Sequence, residues 1–449
     1  MIRRERMADL ARWKERDSKK PLILRGARQV GKTTLVMEFA QTYKHTIALN
    51  LEKAADLAYF QESKEVGEIV NRIFFQHGIP SGEIGNTLLF IDEIQEAPEA
   101  IALLRYFYED VPELDVISAG SLLEHVMTQV RSFPVGRVEF LYLQPLNFYE
   151  YLGALGHAQA QDALCEVSLP DYAHQTMMTL FHEYAMVGGM PAVVNQYLKT
   201  KALSDLPPIY ESIWDTYKED VLKYAKNAKQ ARVIRHVIDT APFQLDERVK
   251  LEKFGRSNYL WREVNEAMQD LGNAQLVQLI RPSTSVELPL LPDLKKHPRL
   301  QLLDTGLVNH ELGVQADLLT MPDLSPAYKG RLIPHLITQE LISLQSTSYK
   351  LPHFWVRKKA QSSAEVDLVV QHKGKVIPIE IKSGATGSLK SLHQFIDACD
   401  HGYAVRIYGG KFSIEEHTTP GTQKPYHLMN LPYYLGTQLP TYLDSFISA

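Results

Sequence analysis

Short apolar runs that end in polar or glycine residues recur through the first part of the chain. Pro21–Leu24 precedes a glycine-rich loop, Thr87–Ile91 precedes two acids, and Leu114–Ile117 precedes small polar residues. Continuous short apolar runs predict strands that are buried on both faces, as in a parallel sheet. Helical spacing follows the first run, over Thr34–Ala40. This alternation of strands and helices predicts a doubly wound α/β core over residues 1–150.

A glycine-rich loop joins the first predicted strand to the first predicted helix. Residues 26–33 read Gly-Ala-Arg-Gln-Val-Gly-Lys-Thr, which is a complete Walker A motif. Gly26 and Gly31 let the backbone curl so that successive N–H groups point inward, and the start of the helix adds partial positive charge. The loop therefore predicts a phosphate cradle for ATP, in which Lys32 reaches the β- and γ-phosphates and Thr33 binds Mg²⁺.

Two acids, Asp92 and Glu93, end the apolar run that begins at Thr87. Ligands bind at the carboxyl ends of strands in open α/β sheets. We therefore expect Asp92 to hold the Mg²⁺ shell and Glu93 to polarise the attacking water. If the two acids are considered alone, the alternative explanation is an acidic cap after a core strand. The normal sequence distance between these acids and the Walker A loop favours the catalytic explanation. The residues predicted to hold nucleotide are Gly26, Ala27, Arg28, Gln29, Val30, Gly31, Lys32, Thr33, Thr34 and Asp92.

Helical spacing continues beyond the core. Residues 151–205 are predicted to be helical, and Pro207-Pro208 marks a domain boundary. From about residue 229 to 310 the pattern predicts three helices followed by the strands Val277–Ile280 and Leu300–Leu303. The third helix is predicted to have one apolar face, formed by Leu260, Trp261, Val264, Met268 and Leu271.

This order of helices and strands is that of a winged helix, whose third helix often enters the DNA major groove. Here Arg262 lies among Glu263, Glu266 and Asp270, and an acidic face opposes phosphate. The acidic face therefore favours a structural or docking role for this helix over base readout. A basic segment before it is either a nucleic-acid or partner surface or a solvated helix face. Its cations are Lys218, Lys223, Lys226, Lys229, Arg232 and Arg235.

The C-terminal part carries a second set of chemical groups on two predicted strands. Glu365 and Asp367 alternate on one strand, and Glu380 and Lys382 alternate on the next, so each pair shares a face and a hairpin brings the pairs together. Asp367 and Glu380 can share Mg²⁺ or Mn²⁺ through hard oxygen ligands. Lys382 can then activate water or stabilise developing phosphate charge. The alternatives are a structural lysine–carboxylate network and a docking module.

Composition limits the remaining possibilities. A chain of 449 residues suggests about three domains, and 45% hydrophobic with 22% charged residues is ordinary for a globular protein. The net charge of −5 gives no global signature of nucleic-acid binding. No apolar stretch approaches the roughly 18 residues of a membrane helix, and the charged N-terminus is better explained as an amphipathic docked helix than as a signal peptide. Cys165 and Cys399, far apart, predict buried thiols in a reducing cytoplasm.

Further short motifs follow the Walker A loop in a specific order. They are Phe90–Gln95, Ala119–Ser121, Gly136-Arg137, Pro145–Glu150, Gly188–Pro191, Asp304–Leu307, Glu365–Asp367 and Glu380–Lys382. With these motifs the chain resembles the prokaryotic AAA-type ATPases in which a P-loop module precedes a winged helix and a restriction-endonuclease-like domain. The resemblance implies an AAA-type P-loop core at 1–150, a helical lid at 151–205, a winged helix at 206–325 and a PD-(D/E)xK nuclease-like domain at 326–449.

The resemblance also implies roles for residues outside the Walker motifs. The strand after Walker B ends in a polar sensor in AAA-type ATPases, so either Ser118 or Ser121 is a candidate, with an ordinary strand-end turn as the alternative. Arg137 is either a phosphate-sensing arginine, in cis or across a homo-oligomer interface, or a surface arginine. Glu340 resembles the helical acid of the nuclease-like fold and would support a metal site with Asp367 and Glu380.

These patterns lead to one main functional hypothesis and two alternatives. The main hypothesis is a cytoplasmic Mg²⁺-dependent ATPase whose cycle switches or drives the C-terminal modules, with DNA or a protein as partner and no membrane contact. One alternative is a nucleotide-gated interaction protein with a non-catalytic C-terminal domain. The other is a metal-dependent nuclease that ATP regulates, and fold resemblance alone does not establish that activity.

Overall fold

The structure is a computed structural model, and it describes residues 2–121, 133–167, 169–223, 225–315, 330–358, 364–382 and 389–447. The helices in these ranges are α1 (Arg6–Lys14), α2 (Lys32–Ala40), α3 (Ala54–Glu62), α4 (Val66–Gln76), α5 (Pro98–Asp110), α6 (Phe148–Leu155), α7 (Ala158–Cys165), α8 (His174–Val187), α9 (Pro191–Thr200), α10 (Pro207–Lys223), α11 (Ala228–Thr240), α12 (Trp261–Asn273), α13 (Thr305–Glu311), α14 (Leu332–Ser343), α15 (Lys390–Ala398) and α16 (Leu439–Phe446). The strands are β1 (Leu22–Arg25), β2 (His45–Asn50), β3 (Thr87–Asp92), β4 (Asp115–Ala119), β5 (Glu139–Tyr142), β6 (Val277–Ile280), β7 (Pro282–Ser283), β8 (Arg299–Leu302), β9 (His353–Val356), β10 (Glu365–His372), β11 (Lys375–Ile381), β12 (Tyr403–Tyr408), β13 (Ser413–Thr418) and β14 (Pro425–Pro432). The predicted boundary between residues 325 and 326 lies outside the described residues.

The N-terminal part is built on a parallel sheet with the strand order β2-β3-β4-β1-β5. Successive residues of β1 enter opposite hydrophobic cores: Leu22 and Leu24 pack on one side and Ile23 on the other. This follows from the alternation of side chains along a strand. Helices cover both faces, which is why the strands are apolar throughout. The predicted parallel α/β core is confirmed.

The predicted N-terminal amphipathic helix is α1, which packs against α2. Leu10 and Trp13 are buried in the same core as β1. The edge strand β5 is hydrogen-bonded to the segment that follows α14, because Tyr142 N donates to Ser346 O at 2.7 Å. Arg6 donates to the backbone carbonyls of Ser343 and Gln345 on the same segment. The residues after α14 therefore hold the edge of the first sheet.

The middle section has the predicted pair of strands, but within the described residues 225–315 only two α-helices, α11 and α12, precede them. The prediction of three helices from about residue 229 was wrong, because the chain between α11 and α12 forms only the short 3₁₀ segments Ala241–Gln244 and Phe254–Arg256. β6 and β8 pair antiparallel, and α11 and α12 pack against one another. Leu260 and Trp261, however, are 60% and 54% exposed. The predicted apolar face was therefore wrong at its start, because Leu260 is the extended N-cap residue and Trp261 begins the helix. The buried residues of α12 are Val264, Ala267, Met268 and Leu271.

The C-terminal part is built on a second sheet with the order β13-β14-β12-β11-β10-β9-β7. β9, β10 and β11 pair antiparallel, and β11, β12 and β14 pair parallel. α14 precedes these strands and α15 joins β11 to β12. The elements follow in the order helix, three strands, helix and strand, from α14 to β12, while the nuclease-like class stays a prediction.

Two smaller expectations also meet the structure here. Cys399 is buried, as predicted, whereas Cys165 is exposed because it lies at the end of the short helix α7. In the part of the chain that the structure describes, no helix is both long enough and apolar enough to cross a membrane.

Candidate functional site

The Walker A loop requires glycine at both ends. Gly26 has φ 156° and Gly31 has φ 96°, values that residues with a Cβ rarely adopt. A Cβ at Gly26 would lie 2.2 Å from the carbonyl oxygen of Leu143. Leu143 N donates to Arg25 O at 2.8 Å, so the end of β1 and the chain after β5 hold the loop. The loop therefore sits at the carboxyl edge of the sheet, where ligands bind in open α/β folds.

Lys32 folds back onto its own loop. Its ammonium donates to Gly26 O at 3.0 Å and to Ala27 O at 2.9 Å. Burial lowers the pKa of Lys32 to about 8, against the opposing effect of Glu93 and Asp92. The ammonium is thus a buried cation whose hydrogen bonds go to neutral carbonyls, and a phosphate would be a stronger partner.

Thr33 and Asp92 are brought together across the loop and the end of β3. Thr33 Oγ1 donates to Asp92 Oδ2 at 2.7 Å, and Glu93 N donates to Asp92 Oδ1 at 3.1 Å. Burial raises the pKa of Asp92 above its ordinary value. The predicted pair of Mg²⁺ ligands is therefore adjacent in space, although far apart in the sequence.

Glu93 has a strained backbone and a fixed carboxylate. Its φ is 52°, a left-handed conformation that costs a residue with a side chain roughly 1 to 3 kcal/mol. Gln95 Nε2 donates to Glu93 Oε2 at 2.5 Å. Sequence reasoning gave Gln95 no role, although it ends the motif Phe90–Gln95. The turn places the acid directly after Asp92, the predicted metal ligand.

The remaining loop residues have mixed surroundings. Ala27 and Val30 are buried, whereas the side chain of Thr34 is exposed on the first turn of α2. Arg28 forms an ion pair with Asp220, and Gln29 Nε2 lies 3.3 Å from Thr216 Oγ1. Both contacts join the loop to α10.

Two residues that the sequence did not single out hold the loop from either side. Tyr217 of α10 donates its hydroxyl to Arg28 O at 2.6 Å. Arg4 donates to Val30 O at 2.9 Å and to the carboxylate of Glu150 at 3.0 Å. The only sequence features related to these contacts were the basic start of the chain and the motif Pro145–Glu150. The loop is therefore supported by parts of the chain before and after the first sheet.

The structure limits the predicted sensors. Ser118 is fully buried, and its hydroxyl donates at 3.4 Å to Leu22 O, at the end of β1 away from the loop. Arg137 precedes β5, so it lies at the amino edge of the parallel sheet, opposite the loop, and its side chain contacts Glu109 at 2.7 Å. A contact between Arg137 and the same chain's nucleotide is therefore ruled out by geometry, and a contact across a subunit interface stays a prediction. Ser121 is buried beyond the carboxyl end of β4, and its sensor role also stays a prediction.

The C-terminal hairpin brings Asp367, Glu380 and Lys382 together, as the strand spacing predicts. The register pairs Leu368 with Ile379, which places Asp367 beside Glu380. Lys382 Nζ lies 2.5 Å from Glu380 Oε1, and Ile381 N donates to Asp367 Oδ2 at 2.8 Å. Burial and the nearby Asp367 raise the pKa of Glu380 to about 8.

Arg299 of β8 enters this cluster, which sequence reasoning missed. Its guanidinium contacts the carboxylates of Glu365 and Asp367, and it also contacts Asp246 at 3.4 Å. Arg248 forms a second ion pair with Glu365. Burial raises the pKa of Asp246 to about 7, because it outweighs the lowering effect of the adjacent Arg299. Two acids of the hairpin, Glu365 and Asp367, are therefore paired with arginines from the middle of the chain.

Glu340, the third predicted ligand, has different partners. Its carboxylate accepts from Phe148 N at 3.1 Å and from the hydroxyl of Tyr184 at 2.7 Å. These hydrogen bonds fix it against α6 and α8, so the predicted ligand set of Glu340, Asp367 and Glu380 is not assembled. Within the residues that the structure describes, no three His, Cys, Asp or Glu side chains are grouped to hold a metal ion. A metal role for Asp367 and Glu380 stays a prediction.

Comparison with protein families divides the chain into three matching segments. Residues 18–152 match a family described as an AAA domain. Residues 178–318 and 329–428 match two families described as domains of unknown function, DUF8612 and DUF4143. The Walker A loop, the parallel sheet and the family match together define residues 18–152 as an AAA-type P-loop ATPase domain. No curated protein matches the chain significantly.

Several solved structures are similar at low identity. A Walker-type ATPase of Pyrococcus abyssi is 14% identical, over 70% of this chain and 96% of that chain, with a TM-score of 0.45. The Aeropyrum pernix ORC1 protein in complex with DNA is 14% identical, over 71% and 94%, with a TM-score of 0.30. AMPPCP-bound DnaA from Aquifex aeolicus is 11% identical, over 60% and 86%, with a TM-score of 0.27. Similarities this low carry no argument about function.

Proposed function

We propose that the protein is a Mg²⁺-dependent ATPase whose nucleotide cycle switches its middle and C-terminal domains. The observation that carries the proposal is the contact of Thr33 Oγ1 with Asp92 at 2.7 Å, beside the buried ammonium of Lys32. Hydroxyl and carboxylate oxygens are the ligands that Mg²⁺ prefers. An ammonium held only by carbonyl oxygens is ready to pair with phosphate. This donor set fits MgATP.

Each residue of the site has a separate task in the proposed reaction. The backbone of Gly26–Thr34 binds the phosphates, and Lys32 leaves its loop carbonyls to contact the β- and γ-phosphates. Thr33 and Asp92 hold Mg²⁺, which offsets the phosphate charge. Glu93, held by its hydrogen bond from Gln95, orients the attacking water and receives its proton.

The hydrolysis step is tested by Glu93→Gln. The amide keeps the size of the side chain but cannot act as a base, so we expect ATP to bind with unchanged affinity and to turn over at least about tenfold more slowly. Glu96→Gln is the matched control, because Glu96 is an exposed acid in the same turn. Equal turnover of wild type and Glu93→Gln would show that another residue positions the water.

Support for the switching role comes from α10. Its residues Thr216, Tyr217 and Asp220 contact the loop at Gln29 and Arg28. Residues 207–223 lie in the segment 178–318 that matches a second domain family. A phosphate that moves the loop therefore acts directly on the next domain.

We propose that α11 and α12 of the middle domain form a docking surface for a partner. DNA binding by this surface stays a prediction. Two of the cations on α11 and α12 are held by acids of the same helices: Lys229 pairs with Glu263, and Arg262 pairs with Glu266 at 3.0 Å. Lys218 pairs with Asp239 at 2.9 Å, and the side chain of Lys223 lies outside the described part. ATP turnover with and without duplex DNA tests this. Stimulation of ATP turnover by DNA that high salt abolishes would favour DNA as the partner instead.

A further inference from the structure

An aromatic floor and a set of acids surround the guanidinium of Arg299. Its central carbon lies 4.6 Å from the ring centroid of Phe354, which is fully buried on β9. Arg248 approaches the same ring at 5.4 Å and pairs with Glu365. A flat cation over an aromatic face is a favourable arrangement, and it is stronger when water is excluded. Phe354 thus supplies a shared surface for two arginines.

The polar contacts of Arg299 match the planar shape of its donors. One terminal nitrogen, Nη2, contacts the carboxylates of Glu365 and Asp367, the latter at 3.5 Å. The other, Nη1, lies 3.3 Å from Asp367 O and 3.4 Å from Asp246 Oδ1. Carboxylates arranged around a guanidinium above an aromatic ring form the geometry that selects arginine over a spherical cation.

We propose that the acidic motif of the C-terminal domain is an arginine-binding site, filled by Arg299 from the middle domain, and not a divalent-metal site. Arg299 lies in the segment 178–318 and Glu365 and Asp367 lie in the segment 329–428. The site is therefore a docking contact between two domains. This assignment does not depend on ATP hydrolysis at the Walker motifs.

A divalent ion would have to compete with groups that are already in place. Asp367 Oδ1 and Glu365 face Arg299, Asp367 Oδ2 accepts from Ile381 N, and Glu380 Oε1 faces Lys382 at 2.5 Å. Glu380 Oε2 has no hydrogen-bond partner among the described residues, so a metal ion would have to bind first to this oxygen. A second cation at that point would be repelled by Arg299 and Lys382, which lie in a poorly solvated environment.

The first test uses the wild-type chain without nucleotide and follows free Mn²⁺ by electron paramagnetic resonance during a titration. We expect wild type and Asp367→Asn to bind the same amount of Mn²⁺, because Asp367 is not a metal ligand while Arg299 is present. Asp92→Asn identifies any Mn²⁺ held at the Walker site. An Mn²⁺ that wild type binds and Asp367→Asn loses would overturn the proposal.

The second test removes the guanidinium group with Arg299→Ala and measures whether free guanidinium binds in its place. Loss of a buried cation leaves the acids unpaired and destabilises the fold. Millimolar guanidinium chloride, compared with NaCl at equal ionic strength, should raise the melting temperature of this variant by about 2 °C or more through ligand binding. The double variant Arg299→Ala/Asp367→Asn should lose this response. Arg262→Ala, which removes an exposed arginine, should show none.

Two outcomes of the second test contradict the proposal. One is an Arg299→Ala protein that folds but shows no difference between guanidinium and NaCl. The other is a response to guanidinium that persists in the double variant, because it would then come from elsewhere. If Arg299→Ala does not fold, Arg299→Lys keeps the charge without the planar fork, and we expect it to fold with a lower melting temperature than wild type. An Arg299→Lys protein as stable as wild type would show that the site needs charge and not a guanidinium.

Discussion

Lys32 is a buried cation in a loop that offers it only carbonyl oxygens. The Walker A motif is local and contiguous, so the sequence alone predicts a phosphate-binding role for Lys32, and that role stays a prediction. The sequence could not predict the lowered pKa, which comes from burial by distant parts of the chain. The sequence also missed Arg4, which precedes α1 and contacts Val30 O of the loop and Glu150, because nothing in its local sequence marks it.

The pKa of Lys32, about 8, predicts how nucleotide affinity depends on pH. Below pH 8 the ammonium is charged before ATP arrives. Above pH 8 the free protein has lost this proton, so binding must take one up, and affinity falls by up to about tenfold per pH unit. Lys32→Ala should bind at least about tenfold more weakly at pH 7 and lack this slope. Calorimetry from pH 7 to 9.5 measures both. An affinity that stays level in wild type would contradict the assignment.

At the level of whole elements, apolar runs predicted β1, β3 and β4 well, because each strand is buried on both faces. The hairpin that brings Asp367 and Glu380 together could also be predicted, from the alternation of side chains along its two strands. The approach of α10 to the Walker A loop could not be predicted, because Thr216, Tyr217 and Asp220 look like ordinary helix residues. Arg299 was missed for the same reason: a short strand carries it into a pocket formed by another domain. Contacts between elements far apart in the sequence leave no local pattern.

The contact of α10 with the loop predicts that Tyr217 positions the phosphate cradle. Its hydroxyl holds Arg28 O at 2.6 Å, so the following N–H is turned away from α10. Tyr217→Phe should weaken ATP binding by roughly two- to tenfold, the range for one lost hydrogen bond. Tyr210→Phe is the matched control, because Tyr210 lies on the same helix, is also buried, and donates to Val187 O at 2.8 Å. Equal affinities of the two variants would show that the contact is only structural.

Across the whole molecule, one buried polar network joins the three matched segments. Asp304 accepts from Gly189 N at 2.6 Å, and Thr305 donates to Gln339 Oε1 at 2.9 Å. Glu340, next to Gln339, binds the hydroxyl of Tyr184 and the backbone of residue 148. Two sequence motifs, Gly188–Pro191 and Asp304–Leu307, meet here. The sequence showed that both exist, but only the fold shows that they form one interface.

Burial raises the pKa of Glu340 from 4.5 to about 8, and this fixes the sign of its effect on stability. Between these pH values the folded chain keeps a proton that the unfolded chain has released, so the free energy of unfolding falls as pH rises from 4.5 to 8, by roughly 1 kcal/mol per pH unit. The same burial raises the pKa of Asp304 to about 6, which adds to the fall below pH 6. Above pH 6 the slope should come mainly from Glu340 in this network.

Glu340→Gln separates this effect from other titrations. The amide can accept from Phe148 N and donate to the oxygen of Tyr184, whose hydroxyl is 2.9 Å from Leu146 O, so it imitates the protonated acid. We expect the variant to match wild type near pH 5 and to be more stable than wild type at pH 8. Glu183→Gln is the control, because Glu183 accepts from Tyr151 at 2.8 Å but is only partly buried, and it should keep the wild-type slope. Urea unfolding at pH 5, 6.5 and 8 measures these differences. A Glu340→Gln protein that loses stability at every pH would mean that the carboxylate is charged and that its hydrogen bonds are made as an anion.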